Sequence, residues 1–280
     1  MEYEANLLIA LICFLFGAIV GSFLNVVILR LPLEESLVYP PSRCPQCRHP
    51  IRGYDNIPII SYVLLLGKCR DCGRWISLRY PITEFVTACF SAVLYLKYGI
   101  TPAFGVFFLF CAAMAVVFWI DYDHMIIPDV ISLNGIAVGA IAATVSWIPG
   151  MNGSTALAGA ILGAFILYVP AVIYERVRGI EGLGRGDIKL LAMIGTFTGP
   201  VGVIFVLFVS SLTGCIAAVV SLIFRGAQAT TPLPFGPFLS GSAVFFVFAG
   251  TDVIDYIAEL SFRFWSTFTM ASIAAVFFPT

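Results

Sequence analysis

Charged residues are scarce in this sequence. Only 11% of its 280 residues are Asp, Glu, Lys or Arg, whereas 60% are hydrophobic and the mean hydropathy is +0.99. Soluble domains carry about a quarter charged residues, so this composition excludes a water-soluble globular fold. Three stretches, at 130–174, 190–224 and 226–251, contain no charged residue at all. Each is longer than the roughly 20 residues with which a helix crosses a lipid bilayer.

These apolar stretches also lack alternation between apolar and polar residues. Membrane β-barrels show that alternation in segments of about ten residues. A barrel is therefore excluded, and the sequence predicts an all-α polytopic membrane protein. The first apolar segment, at 5–29, is too long for the apolar part of a cleavable signal peptide and follows the acidic residues Glu2 and Glu4. We interpret it as the first transmembrane helix.

Polar, glycine and proline breaks divide the apolar sequence into about eight transmembrane helices. They are predicted at 6–29, 83–99, 102–120, 130–148, 155–174, 187–199, 201–224 and 236–251. Gly195, Gly199 and Pro200 shorten the sixth helix, which would rise only about 20 Å. The tail at 252–280 fits either an interfacial helix or a ninth crossing.

The basic residues fall almost entirely on one side of this arrangement. With eight spans, all of the 15 Lys and Arg residues except Lys97 and Arg263 lie on one face. Loops rich in Lys and Arg stay in the cytoplasm, so the N-terminus is predicted outside and the polar segments inside. The sequence then divides into a first transmembrane helix at 1–29, a cytoplasmic loop at 30–82, a transmembrane core at 83–251 and the tail.

The loop at 30–82 contains four of the eight cysteines. They form two Cys-x-x-Cys pairs, Cys44 with Cys47 and Cys69 with Cys72, separated by 21 residues. Each pair can make a tight turn that directs two thiolates at one tetrahedral Zn²⁺, so the pattern predicts a small zinc-ribbon-like insertion. A loop of about 50 residues forms little core, and a structural metal would supply the missing folding free energy.

Two other interpretations of these cysteines stay open. A pair of disulfides is disfavoured by the reducing cytoplasm. A redox site is disfavoured because no thioredoxin-like βαβ pattern accompanies the pairs. His49 is close to Cys47 in sequence, but four cysteines already complete a tetrahedral set. The remaining cysteines lie in apolar spans and are interpreted as small buried residues: Cys13, Cys89, Cys111 and Cys215.

Ionisable residues at the margins of transmembrane helices are costly and therefore suggest function. Two acidic segments, at 120–129 and 181–187, flank predicted helices on the cytoplasmic face. Asp121 ends the third predicted helix, and Asp187 opens the short sixth helix after a glycine-rich bend. If both carboxyls meet across the bundle they would share a proton, because like charges a few ångströms apart cannot both ionise.

Such a pair has a defined chemistry. The ionised carboxylate would accept a proton from water as that water attacks a peptide carbonyl, and the protonated partner would stabilise the developing oxyanion. The two residues therefore predict an aspartyl protease that needs no catalytic metal.

Several of these acidic and polar residues also fit purely structural roles instead of functional ones. Asp129, directly after Pro128, is favoured as the N-cap of the fourth helix. Asp123 and His124 suit a solvated loop equally well. Asp187 can also be an N-cap, although a cap leaves the neighbouring glycines unexplained. A proline-rich break at 231–237 fits either a plain loop or an edge that pairs with an extended substrate.

The motifs together resemble those of bacterial type IV prepilin leader peptidases, which are bifunctional peptidase and N-methyltransferase enzymes. The match extends from about residue 21 to 237. Besides the two Cys-x-x-Cys pairs it comprises the segments 21–26, 30–32, 55–58, 79–81, 120–129, 182–191 and 232–237.

This resemblance implies a GxGD-type intramembrane aspartyl protease in which Asp121 and Asp187 are the catalytic pair. It implies prepilin or pseudopilin substrates of type IV pilus or type II secretion systems, cut at the cytoplasmic face of the inner membrane between a leader Gly and usually Phe. The new N-terminus would then be methylated from S-adenosylmethionine. The expected partners are these substrates and the lipid bilayer, with no nucleic acid.

The methyl-donor site stays open at this stage. No dinucleotide-type glycine-rich loop follows a strand pattern, so S-adenosylmethionine is implied by the resemblance alone. Glu84 and Asp55 are polar candidates near that site, and each also has a structural interpretation. Two competing functions are a proton-coupled carrier, whose acids should lie near the membrane midplane, and a membrane-tethered zinc module with inert helices.

Overall fold

The computed structural model describes residues 2–179, 184–225 and 233–261. In these residues β-structure is limited to two isolated bridges, and helices dominate, which confirms the all-α prediction. The helices are α1 (Glu2–Arg30), α2 (Ile60–Leu64), α3 (Arg79–Tyr98), α4 (Pro102–His124), α5 (Asp129–Thr144), α6 (Gly153–Arg178), α7 (Arg185–Arg225) and α8 (Gly236–Phe245). A π-helical segment, Phe246–Gly250, continues α8, and the helical path extends to Ser261.

Each predicted span has a helical counterpart when α7 is divided at Gly199. Five helical stretches are long and apolar enough to cross a membrane, and α5 is a shorter apolar helix. Several predicted boundaries differ from the helix ends: α3 begins earlier than predicted, at Arg79, α6 continues to Arg178, and α5 ends earlier, at Thr144. The third span continues past 120 to His124, and the eighth continues past 251, so that 252–261 extends a helix. The rest of the tail, 262–280, lies outside the described residues.

α7 is interrupted where the sequence predicts a break. Gly199 has φ 67° and ψ −178°, a backbone conformation that is essentially restricted to glycine. Pro200 follows directly and has no N–H to donate to a helix. The first part of α7 packs against α6 through glycines, since the backbone of Leu191 lies against Gly163. Glycine thus both ends the short helix and brings it close to its neighbour.

α1 and α3 also pack through small residues. A Cβ on Gly17 would lie 2.6 Å from the carbonyl oxygen of Thr87, and one on Gly21 would lie 2.7 Å from the Cα of Glu84. Gly-x-x-x-Gly spacing lets two membrane helices approach closely. This packing fixes the end of α1 beside the start of α3, which are the two helices that enclose the cysteine loop.

The main apolar core surrounds α4. Phe110, Met114 and Val117 of this helix are almost completely buried, and the rings of Phe110 and Phe197 lie 4.5 Å apart, joining α4 to α7. α4 is the most buried of the candidate spans. Its final turn therefore holds a fixed position in the bundle.

Lys97 lies at the opposite end of α3 from the basic loop and has a local structural role. Its ammonium donates hydrogen bonds to the carbonyl oxygens of Val247 and Phe248, at 2.8 and 3.0 Å. Both carbonyls belong to the π-helical segment, where the ordinary helical hydrogen bonds are displaced. Lys97, one of the two basic residues predicted outside the basic face, thus joins α3 to the continuation of α8.

Candidate functional site

Asp121 lies one turn before the C-terminus of α4 and is buried, with 5% of its surface exposed. Its carboxylate oxygen Oδ2 accepts a hydrogen bond of 2.8 Å from the backbone N–H of Gly236. Gly236 is the first residue of α8, whose N-terminal amides lack partners within their own helix. The N-terminus of α8 thus holds the side chain of Asp121.

Asp187 lies in the first turn of α7 and is 8% exposed. Its backbone N–H donates to the carbonyl oxygen of Gly184 at 3.1 Å. A Cβ at Gly184 would stand 3.0 Å from Oδ2 of Asp187, and one at Gly186 would stand 2.9 Å from the side chain of Ile127. The two glycines therefore leave room for the carboxylate and for close contact with the segment between α4 and α5.

The structure brings Asp121 and Asp187 into one site. α8 packs against both α4 and α7, and the electrostatic field of Asp121 reaches Asp187. They lie near helix ends, as the sequence predicts, and both are shielded from solvent. Burial and like charge both disfavour the state in which two such carboxyls are ionised together.

Ion pairs fix the helices on either side of these carboxyls. The ammonium of Lys189 lies 2.7 Å from both carboxylate oxygens of Asp129, which joins the start of α7 to the start of α5. The predicted N-cap role of Asp129 is wrong. α5 begins at Asp129 itself, so Pro128 occupies the N-cap position without a side-chain hydrogen bond, and the Asp129 carboxylate pairs with Lys189 instead.

Asp123 is not a free loop residue. It lies in the last turn of α4 and forms an ion pair with Arg79, the first residue of α3. The Arg79 guanidinium also lies over the ring of Trp119, at 4.7 Å from its centroid. This contact connects the end of the cysteine loop to the turn of α4 that carries Asp121.

The role of Gly236 is not predictable from the local sequence. The proline-rich break at 231–237 predicts a loop or a substrate edge, without a link to Asp121. A glycine before Pro237 at a helix start is the available signal, because Pro is favoured in a first helical turn. The partner of its N–H lies 115 residues away and cannot be found from local sequence. Residues 231 and 232 lie outside the described residues, as do 181–183 of the glycine-rich bend.

The four cysteines of the loop come together. Their sulfur atoms all lie within 4.8 Å of one another, and the sulfurs of Cys44 and Cys72 are 3.9 Å apart. Four thiolates bonded to zinc at about 2.3 Å in a tetrahedron stand about 3.8 Å apart. The group can therefore hold a metal ion of the size of Zn²⁺, and His49 is not part of it.

Both Cys-x-x-Cys pairs use the same backbone turn. The N–H of Cys44 donates to His49 and its carbonyl accepts from Arg48, both at 2.9 Å. The second pair repeats this pattern: Cys69 donates to Arg74 and accepts from Gly73, again at 2.9 Å. A side-chain hydrogen bond of 2.9 Å from Arg74 to Gln46 joins the two turns.

The segment between the two turns is held by Asp55. Its carboxylate accepts hydrogen bonds of 2.8 and 2.6 Å from the guanidinium of Arg70. These bonds lower the pKa of Asp55, because they favour its ionised form. Asp55 thus has a structural role in the loop. Of the other cysteines, Cys13 and Cys111 are buried as predicted and Cys89 is half-buried, whereas the predicted burial of Cys215 is wrong, because its side chain is exposed.

Two segments of the chain each match a known protein family. Residues 15–98, which contain the cysteine loop, match the family described as bacterial peptidase A24 N-terminal domain. Residues 108–219, which contain Asp121 and Asp187, match the type IV leader peptidase family. No solved structure matches the chain.

Several relatives align over most of their length. The prepilin leader peptidase/N-methyltransferase of Pseudomonas aeruginosa is 37% identical over 265 residues, which cover 86% of this chain and 91% of the relative. Proteins of the same name from Stutzerimonas stutzeri and Dichelobacter nodosus are each 34% identical, and cover 84% and 81% of this chain and 89% and 86% of the relatives. The chain therefore belongs to the type IV leader peptidase family.

Proposed function

We propose that this protein removes the leader peptide from type IV prepilins or pseudopilins and then methylates the new N-terminal residue from S-adenosylmethionine. The names of its relatives describe these two activities. The role that follows is in the biogenesis of type IV pili and in type II secretion.

The proposal for peptide cleavage depends on one observation. Two carboxyls from distant parts of the chain, Asp121 and Asp187, are buried in one site at the ends of α4 and α7. A carrier would favour acids near the middle of its helices. Acids at helix ends suit a protease that meets its substrate at the membrane surface.

In the proposed mechanism the two carboxyls share one proton. The ionised carboxylate takes a proton from a water molecule, whose oxygen attacks the scissile carbonyl carbon. The protonated carboxyl donates a hydrogen bond to the carbonyl oxygen, on which negative charge develops, and a proton then passes to the leaving amine. The N–H of Gly236 holds one oxygen of Asp121, so this carboxyl keeps a fixed orientation throughout.

Substitution of either carboxyl tests the mechanism. We expect Asp121→Asn and Asp187→Asn, purified in detergent and incubated with a prepilin, each to lower the cleavage rate by roughly 100-fold or more, because the shared proton is lost. Asp255→Asn is the matched control, since Asp255 is exposed in the extension of α8. Cleavage by either site variant at the wild-type rate, with a normal fold, would remove that residue from the mechanism.

The four cysteines form the proposed zinc site, in which the metal has a structural role. Zinc would join two identical turns that come from opposite ends of the loop, and so supply folding free energy to a segment with little core. We expect Cys44→Ser to lower the zinc content of the purified protein and to leave the loop open to proteases. Cys215→Ser, outside the loop, is the control, and a Cys44→Ser protein with full zinc content contradicts the assignment.

The proposed location is the bacterial inner membrane, with the N-terminus outside and the carboxyl pair at the cytoplasmic face. The asymmetric distribution of Lys and Arg supports this orientation. The cysteine loop and the carboxyl pair would then face the same compartment, where the prepilin leader is available.

A further inference from the structure

A cavity of about 120 Å³ lies between the cysteine loop and the start of α3. Together with an adjoining cavity of about 420 Å³, the space is in the range of sites for small molecules and cofactors. The wall of the first cavity combines apolar side chains and the aromatic rings of Tyr62 and Tyr80 with three guanidinium groups, those of Arg43, Arg52 and Arg70. The cavity lies on the cysteine side of α3, and neither Asp121 nor Asp187 lines it.

One buried carboxylate lines this cavity. Glu84 of α3 is 8% exposed, and its Oε2 accepts a hydrogen bond of 2.7 Å from the backbone N–H of Ile59 in the loop. The hydroxyl of Ser22 on α1 is a second hydrogen-bonding neighbour. Within the described part of the chain, no Lys or Arg forms an ion pair with Glu84.

This arrangement differs from that of the other loop acids. Asp55 and Asp71 line the same cavity, but each has an arginine partner. Two neutral donors orient the carboxylate of Glu84 without neutralising it, and a buried anion without a cation is costly. A cationic ligand in the cavity would lower that cost.

Glu84 also lines this second, adjoining cavity of about 420 Å³. That cavity extends along α1, and Arg43, Cys44 and Tyr80 line both spaces. Two reactants could therefore reach the same carboxylate from different sides. This arrangement suits N-methylation, because that reaction joins a methyl donor and a peptide amine.

We propose that the cavity between the cysteine loop and α3 binds S-adenosylmethionine, with the carboxylate of Glu84 facing its sulfonium ion. This inference rests on the methyltransferase part of the proposed function. The apolar and tyrosine side chains provide a surface for the adenine ring, and Glu84 provides the counter-charge. The substrate amine would approach through the adjoining cavity.

Methyl transfer at this site would need only two reactants, the methyl donor and the substrate amine. The lone pair of the neutral N-terminal amine forms the new N–C bond as the methyl C–S bond breaks, and its electrons go to sulfur. The sulfonium becomes the neutral thioether of S-adenosylhomocysteine, and the methylated ammonium loses its proton to water. Glu84 is a binding residue in this scheme.

The charge difference between donor and product gives a direct test. S-adenosylmethionine carries the sulfonium charge, and S-adenosylhomocysteine does not. Equilibrium binding of both compounds should be measured with the full-length, zinc-loaded protein in detergent. We expect Glu84→Gln to weaken S-adenosylmethionine binding by roughly tenfold or more, because an opposite charge is lost, and to leave S-adenosylhomocysteine binding within about twofold of wild type.

The glutamine variant keeps an acceptor for the Ile59 N–H and nearly the same volume, so the fold should persist. Zinc content and prepilin cleavage verify this in the same sample. Glu34→Gln is the matched control, because Glu34 is exposed and lines neither cavity. A second measurement is photochemical cross-linking of S-adenosylmethionine to wild type, which should label a peptide within 43–84.

The possible results distinguish failure of the proposed binding site from failure of the proposed methyltransferase function. Unchanged S-adenosylmethionine affinity in Glu84→Gln, or cross-links confined to other segments, would overturn the site while the enzyme stays a methyltransferase. An equal loss of both compounds would overturn the pairing with the sulfonium. A wild-type protein that cleaves prepilin but neither binds S-adenosylmethionine nor forms methylated product would end the methyltransferase proposal itself.

Discussion

Asp121 illustrates how much one side chain depends on a distant glycine. The N–H of Gly236 donates to its carboxylate, and a Cβ at position 236 would lie 2.6 Å from Oδ2 of Asp121. Only hydrogen fits between the backbone of α8 and this oxygen. The same residue thus supplies the hydrogen bond and leaves the space for it.

This contact predicts a specific effect of Gly236→Ala. The added methyl group must displace the Asp121 carboxyl, and a displacement of about 1 Å in a catalytic group can cost roughly 100-fold in rate. We expect a loss of this order in prepilin cleavage, with zinc content unchanged. Gly241→Ala on the same helix is the control, because a Cβ there meets nothing within 4 Å. Equal cleavage rates for the two variants would contradict the role of Gly236.

At the scale of the elements, α7 shows how glycine and proline shape a long apolar segment. The run from Arg185 to Arg225 exceeds a single crossing, and Gly199 and Pro200 divide it into a short and a long helix. The short part carries Asp187 at its first turn and packs against α5 and α6. The break therefore sets the length of the short helix that begins with Asp187 in its first turn.

Gly199→Ala tests this break. A side chain at φ 67° and ψ −178° is strained, and we expect the free energy of unfolding to fall by about 1–3 kcal/mol. The measurement is thermal or denaturant unfolding in detergent. Gly214→Ala in the second part of α7 is the control, because its Cβ would make only ordinary contacts, at 3.6 Å or more. A Gly199→Ala protein as stable as this control would show that the break tolerates side chains.

At the scale of the whole molecule, the cysteine loop and the helical core are joined at one corner. Asn25 of α1 donates a hydrogen bond of 3.1 Å to the carbonyl oxygen of Tyr80. Arg79 next to it pairs with Asp123 and covers Trp119, in the turn of α4 that also holds Asp121. The proposed methyl-donor cavity and the carboxyl pair thus lie on either side of the start of α3, at the same end of the bundle.

This arrangement predicts which membrane face each part occupies. The loop arginines Arg43, Arg48 and Arg52 are exposed, so trypsin should cleave them in inverted inner-membrane vesicles. In intact spheroplasts they should be protected, because the orientation places the loop inside. Protein immunoblotting with a C-terminal tag measures both outcomes, and permeabilised spheroplasts serve as the control. Cleavage in intact spheroplasts would reverse the proposed topology.

Much of the fold was accessible from the sequence because membrane helices obey simple rules. Long uncharged runs give the spans, and Gly199 with Pro200 gives the break in α7. Boundaries were less accurate at the end of α4, where the helix extends past the apolar run and Asp123 pairs with Arg79, and in the continuation of α8. Asp129 is a further example: its position after Pro128 favours an N-cap, but in the structure its carboxylate forms an ion pair with Lys189.

The sequence by itself determined the membrane class, the two cysteine turns and the candidate carboxyls, since these depend on composition and on residues close in the chain. The tertiary structure decided which groups meet: Gly236 with Asp121, Arg79 with Asp123, and Glu84 with the N–H of Ile59. The physical reason is distance along the chain. Local patterns fix helices and turns, whereas contacts between residues far apart in sequence arise only when those helices pack.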